Sequence, residues 1–219
     1  MSLSVLHTAN LTIGYSKGKH QNVIQKDISL DLQKGKLIAL IGKNGIGKST
    51  FLKTITGIIE PLSGSISLNE KKLSDYDANE LAQEMSLVLT ESLPPSNLSV
   101  YEIIALGRQP YTNWLGTLSG EDKQKIEEAI SLTGIAAFAH KKHYEISDGQ
   151  LQKVLIARAL AQDTPLIVLD EPTNNLDIQN IEILIAAINE YKGTLLVVSH
   201  DEYFLKQINI TRGISLMSV

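Results

Sequence analysis

The chain of 219 residues has no cysteine, which excludes disulfides and thiolate metal centres and fits a reducing cytoplasm. It has no apolar run of membrane-spanning length, and no hydrophobic signal region comes after Met1. Any service to a membrane is therefore expected from outside the bilayer. Positive charge is not in excess either. Lys and Arg number 20 against 24 Asp and Glu, a formal net charge of −4, which argues against broad nucleic-acid binding. Internal repeats and low-complexity tracts are also missing. What is present, 43% hydrophobic with 20% charged residues, is an ordinary globular composition, long enough for one domain with a substantial core.

The densest signal is Gly42-Lys43-Asn44-Gly45-Ile46-Gly47-Lys48-Ser49-Thr50. Leu37 to Ile41 reads as a buried strand before it, and Phe51 to Ile55 as a helix that Gly57 and Pro61 end. Strand, glycine loop and helix make a phosphate-binding P-loop, with Gly42, Gly47, Lys48 and Ser49 at the required spacing. Glycines let backbone N–H groups converge on phosphates, and the helix N-terminus adds the positive end of a dipole. Lys48 is expected to reach the β- and γ-phosphates of a nucleotide, and Ser49 to hold Mg²⁺.

Around this loop the alternation of apolar residues predicts antiparallel strands over 3–13 and 23–32, with a turn at Gly14 to Lys19. Ser63-Gly64-Ser65 opens a short strand, and Asp77 with Glu80 caps a helix leading to a strand over Met85 to Leu89. Residues 91–98, with Pro94, Pro95 and Asn97, read as a loop. Ser99 and Glu102 then cap a helix over Val100 to Leu106. Gly107, Pro110 and Gly116 break the next stretch, and Glu121 to Leu132 is amphipathic. The texture over about 91–145 is that of a helical lobe inserted into an α/β core of about 1–90 and 146–219. Tyr111 and Trp114 read as packing inside that lobe. The core resumes with a helix to about Ala161 that places Leu151, Val154, Leu155 and Ala159 on one face. Then come a buried strand over Pro165 to Leu169, a helix over Ile178 to Tyr191 and a buried strand over Thr194 to Val198. Alternating strands and helices predict a mainly parallel sheet covered on both faces.

Asp170-Glu171 stands at the carboxyl end of one such strand, where open α/β sheets bind ligands, so both carboxylates are expected to face the P-loop crevice. Asp170 is read as accepting from Mg²⁺-bound water, and Glu171 as polarising the water that attacks the γ-phosphate. His200, after the next buried strand, is placed to hydrogen-bond the γ-phosphate and position that water. His7, His20, His140 and His143 read as surface residues. Ser147-Asp148-Gly149-Gln150 precedes a helix, and two readings stand side by side: a capping box alone, or a capping box that is also an anion site.

These motifs, in this order, resemble the ATP-binding-cassette (ABC) ATPases along the whole chain: Tyr15, Gly42 to Thr50, Ser147 to Gln150, Leu166 to Glu171, Asn175-Leu176-Asp177 and His200. The resemblance implies an α/β P-loop NTPase fold with ATP and Mg²⁺. It also implies a head-to-tail homodimer in which Ser147, Gly149 and Gln150 of one copy contact the γ-phosphate held by the other, with Asp177 at the seam. It assigns Tyr15 to stacking on adenine, where the bare sequence allows a turn-packing tyrosine. Up to about residue 162 the text looks like importer ATPases for ferric siderophores, haem and cobalamin, through Leu98 to Glu102, Ala105 to Tyr111 and Ile156 to Gln162. From about 165 it looks like the ABC-F proteins, which act on ribosomes. The family's Gln after the Met85 strand, which the resemblance places at Mg²⁺ and in the relay to the permease, is replaced by Thr90-Glu91: either Thr90 or Glu91 stands in at the metal, or the link is weaker. Asp148 replaces a glycine and brings a carboxylate near a phosphate site. The expectation is a cytoplasmic ATP hydrolase at the inner face of the cell membrane that works with permease subunits, the alternatives being a ribosome-associated ATPase or an ATP-binding cassette with no transport partner.

Overall fold

The computed structural model describes residues 4–18, 20–90, 94 and 96–216. Two long strands come first, β1 (Ser4–Lys17) and β2 (His20–Gln33), paired antiparallel out to Lys17 against His20. This corrects the expected turn at 14–19: Gly14 to Lys17 are strand residues, and Lys19 lies outside the described residues. Gly14 serves a close approach rather than a bend, since a Cβ on it would collide with the Asn22 carbonyl oxygen across the pair.

The P-loop lies between β3 (Leu37–Ile41) and α1 (Lys48–Ile55). β4 (Ser63–Leu68) and β5 (Lys71–Lys72) extend the antiparallel sheet to the order β2-β1-β4-β5. The Asp77 and Glu80 capping box starts α2 (Ala78–Glu84), which leads into β6 (Met85–Val88). Ser99 and Glu102 likewise start α3 (Val100–Ala105). A 3₁₀ stretch, Leu106–Tyr111, continues from α3 through both Gly107 and Pro110, which the sequence reading takes as breaks. Gly107 is spared a side chain because the Arg158 carbonyl lies against it.

The next elements are α4 (Gly120–Leu132), α5 (Asp148–Gln162), β7 (Leu166–Asp170), α6 (Ile178–Glu190), β8 (Thr194–Val198), α7 (Glu202–Gln207) and β9 (Arg212–Ser215). A second sheet, all parallel, has the order β6-β7-β8-β3-β9. Strand periodicity sorts its residues between two cores. Leu166, Val168, Leu196 and Val198 join Phe51, Leu52 and the antiparallel sheet, while Ile167, Leu169, Leu195 and Val197 join α5, α6 and Phe204 of α7.

α5 is buried on two sides, so its expected single apolar face is split. Leu155 and Ala159 pack on the parallel sheet, whereas Val154, Ala157 and Ala161 close a cluster with Ile103, Ile126 and Ile130 of the helical region. Arg108 fastens that region. Its Nε donates to Asp122 at 2.8 Å and its Nη1 to the Ala161 and Gln162 carbonyls, and both ion-pair side chains are 5% exposed. Trp114 does not pack there. It is 91% exposed, because the Asn113 side chain accepts from the Leu115 and Thr117 amides and the tight loop turns the indole outward. Tyr111 lies under the Arg108 guanidinium, 3.9 Å from its ring centroid. His7, His20 and His140 are exposed as expected, whereas His143 is half-buried with its Nδ1 3.4 Å from Ser96 Oγ.

Candidate active site

The loop at 42–50 is braced by the antiparallel sheet. Gln25 Nε2 donates to the Ile46 carbonyl at 3.2 Å, and a Cβ on Gly47 would press within 2.5 Å of Ile24. Gly45 and Gly47 hold φ of 79° and 103°, conformations that other residues rarely adopt. Gly47 is also the N-cap of α1 and supplies no side-chain acceptor, so the first amides of that helix face the loop uncapped. Lys48 arches over the loop, its Nζ donating to the carbonyls of Gly42 (2.8 Å) and Lys43 (3.1 Å). Tyr15, near the end of β1, brings its hydroxyl to 3.3 Å from Thr50 Oγ1 while its ring stays exposed.

The parallel sheet delivers the facing wall. Glu171 leaves β7 with φ of 47°, and its amide donates to the Val198 carbonyl at 2.8 Å, which ties the turn to β8. A left-handed non-glycine residue at a strand end is backbone strain of the kind stored at functional sites. The conformation sets the Glu171 carboxylate against His200, with Oε1 3.2 Å from Nε2 and Oε2 accepting from the His200 amide at 3.2 Å.

Loop and wall enclose a cleft of about 430 Å³. Asn44, Gly45, Gly47, Lys48, Ser49 and Thr50 line one side, and Thr90, Asp170, Glu171 and His200 the other. Glu91, the alternative to Thr90, lies outside the described residues. Ile24 and Asn174 also line the cleft, and the sequence reading gives neither a role. Asn174 was legible in principle, three residues past Glu171, whose carbonyl accepts its amide at 3.1 Å. Ile24 reads only as one more apolar strand residue.

Asp170 is 2% exposed. Burial pushes its carboxyl above the ordinary value, against a Ser49 hydrogen bond and the Lys48 and Lys53 charges, which pull it down. Among the described residues its buried Oδ1 has no hydrogen-bond partner. An orphaned carboxylate oxygen beside a serine hydroxyl, at the floor of a phosphate-sized cleft, fits a hydrated divalent cation.

Ser147, Gly149, Gln150 and Asp177 stay outside this cleft. Ser147 Oγ accepts from the Gln150 amide at 3.2 Å, and Gln150 Oε1 accepts from the Ser147 amide at 3.0 Å, so the capping box of α5 is formed. Asp148 is exposed in the first turn, where a carboxylate complements the helix dipole. Gly149 backs onto the loop after β7: a Cβ there would collide with the Asn175 carbonyl oxygen. Asp177 caps α6, its Oδ1 accepting from the Asn180 amide at 2.9 Å.

The arrangement has counterparts among known proteins. The ABC transporter family model matches residues 25–174. An uncharacterised ABC transporter ATP-binding protein of Methanocaldococcus jannaschii is 39% identical over 201 residues, which is 90% of this chain and 68% of that protein. The iron(3+)-hydroxamate import ATP-binding protein FhuC of Bacillus subtilis is 39% identical over 203 residues, 91% of this chain and 74% of FhuC. Among solved structures, the dimeric bacterial ABC transporter cassette MJ0796 superposes with a TM-score of 0.84 at 29% identity, covering 96% of this chain and 94% of that one. Its post-hydrolysis dimer, bound to ADP and Pi, superposes with a TM-score of 0.83. Cleft, sheet order and sequence agree: the chain belongs to the ABC transporter family, as one of its ATP-hydrolysing cassettes.

Proposed function

We propose that this cassette powers an importer of the ferric siderophore, haem or cobalamin type, working as a head-to-tail homodimer on membrane permease subunits at the inner face of the membrane. The observation that carries the catalytic part is the pairing of Glu171 with His200 directly across the cleft from Lys48 and the α1 amides. The ATP phosphates sit in the loop of Gly42, Asn44, Gly45, Gly47 and Thr50, with Lys48 on the outer phosphates and the adenine on the exposed ring of Tyr15. Glu171 orients and polarises the attacking water, while the His200 amide holds the Glu171 carboxylate and leaves the imidazole to donate to the γ-phosphate, so nucleophile and phosphorus meet in line. Ser49 and Asp170, with Thr90 nearby, would hold Mg²⁺, which neutralises phosphate charge when bound.

Ser147, Gly149, Gln150 and Asp177 lie outside their own cleft yet are gathered at the start of α5 and α6, an arrangement that supports their meeting the nucleotide of a second copy. The dimeric cassette relative supports the same geometry, and the import role of FhuC supports the siderophore class. The exposed Trp114 and Leu115 on their rigid loop support a protein-docking role for the helical region.

The test is Glu171→Gln. It should keep ATP binding, lose turnover by at least about a hundredfold and accumulate an ATP-bound dimer in sedimentation. Turnover at the parent rate would remove Glu171 from the mechanism. The same variant, used as bait, should recover a membrane permease; recovery of ribosomal particles instead would establish the ABC-F reading.

A further inference from the structure

Lys153 is a charged residue for which the proposed ATPase cycle has no use. It lies one turn inside α5 and is 6% exposed, although a helix-surface lysine ordinarily extends its ammonium to water. Among the described residues its Nζ has a single hydrogen-bond acceptor, the neutral Asn180 Oδ1 at 2.9 Å. It sits beside Gly134, in the junction of α4, α5 and α6. Burial lowers its pKa, and the Asp177 carboxylate pulls the other way. Filling this space with methionine would avoid burying a charge, so packing alone does not account for an ammonium here.

Its partners do. Asn180 receives Lys153 on its side chain and donates its amide to Asp177 Oδ1, so one residue links α5 to the cap of α6. Two neighbouring contacts join the same elements: the Gly149 backbone lies against the Asn175 carbonyl, and Gln152 Nε2 reaches the Pro172 carbonyl at 3.4 Å. The segment 171–177 is itself tightly wound, with Asn174 N on the Glu171 carbonyl and Leu176 N on the Thr173 carbonyl, both at 3.1 Å. The start of α5 and the turn bearing Glu171 are therefore one mechanical piece.

We propose that Lys153 is a positioning residue that locks Asn180 and the Asp177-capped start of α6 to the N-terminus of α5, so that ATP gripped by Ser147–Gln150 in one subunit's interface sets the Glu171 carboxylate of that same subunit. The proposal rests on the head-to-tail dimer. It makes the two sites of the dimer report to each other through α5, and it assigns the ammonium to that link.

The experiment compares Lys153→Met, Lys153→Arg and Asn180→Ala by steady-state ATPase assays over a range of Mg-ATP concentrations. Lys153→Met should lower kcat by at least about tenfold with KM within about twofold, and reduce the Hill coefficient from above 1 to about 1. Lys153→Arg should restore both. Asn180→Ala should reproduce the loss, and the double variant should be no worse than either single one, since both break one link. Wild-type kcat and cooperativity in Lys153→Met, or losses that multiply in the double variant, would overturn the proposal. A fall in kcat with unchanged cooperativity would also overturn it, as the mark of a merely structural lysine. If Lys153→Met does not fold, Asn180→Ala decides by the same two readouts. Sedimentation of Glu171→Gln with ATP separates the levels: no dimer refutes the dimer reading and this proposal together, whereas a dimer with an unaffected Lys153→Met refutes this proposal alone.

Discussion

Adding one methyl group at Gly149 sets two effects of opposite sign against each other. Gly149 lies in the first turn of α5, where alanine is favoured over glycine by up to about 1 kcal/mol on helix propensity. Against this, the new Cβ would come well inside the 3.0 Å that Cβ atoms keep from other heavy atoms, and the atom it meets is the backbone oxygen of Asn175. That carbonyl has little freedom to withdraw. Asn175 is held left-handed at φ of 62°, and its neighbours are tied by the Asn174 to Glu171 and Leu176 to Thr173 hydrogen bonds. Overpacking a rigid contact costs about 1–3 kcal/mol, and a backbone obstacle belongs in the upper half of that range. The clash should win. Gly149→Ala should destabilise the nucleotide-free protein by about 1–2 kcal/mol, a fall in Tm of roughly 2–8 °C for a chain of this size. Gly120 supplies the control, since it opens α4 with no atom within 4 Å of its Cβ position. Gly120→Ala should therefore gain up to about 1 kcal/mol and raise Tm by roughly 2–4 °C. Scanning calorimetry without nucleotide measures both. A Gly149→Ala protein melting at or above the parent temperature, with Gly120→Ala behaving as expected, would refute the close approach of α5 to the loop after β7.

Arg108→Met should cost about 3–5 kcal/mol, read from the denaturant midpoint, because it strands the buried Asp122 carboxylate and the Ala161 and Gln162 carbonyls; a loss below about 1 kcal/mol would show that the pair is not buried in solution. Burial pushes the Asp122 carboxyl up, but hydrogen bonds from Ser119 and Arg108 outweigh it and leave the group below its ordinary 3.8. Its stabilisation is therefore present above pH 3.8 and lost as the pH falls through the lower folded value, so below that point Tm should drop more steeply in the wild type than in Asp122→Asn. Asp170→Asn should raise the nucleotide-free Tm by roughly 2–4 °C, by relieving a buried carboxylate with an unpartnered oxygen, while abolishing metal-dependent turnover. A lowered Tm would mean that this oxygen is satisfied in the free protein.

Much of the architecture was legible because it is local. The capping boxes at Asp77, Ser99 and Ser147 announce α2, α3 and α5 within four residues each, and all three formed. β7 and β8 are buried on both faces and read as unbroken apolar runs, which placed Asp170, Glu171 and His200 at one edge of the sheet. The misreadings share a cause, which is that a residue type carries its commonest meaning until a distant contact overrides it. Gly14 and Gly107 read as bends, although each is a contact surface for a distant carbonyl, from Asn22 and Arg158. Trp114 reads as core because tryptophans usually are, and the Asn113 side chain turns it out.

The sequence by itself determined the cleft's chemistry. A glycine-rich loop between strand and helix can hardly do other than present amides, and a carboxylate pair at the end of a parallel strand faces the same crevice through the common direction of the strands. Only the tertiary structure decided how the second set of residues is mounted. Contacts such as Lys153 with Asn180, Gly149 with Asn175 and Gln25 with Ile46 join residues far apart along the chain, and no periodicity encodes them. Short-range patterns specify which groups are available, whereas the packing of α5 between the sheet and the helical region specifies which of them are held together.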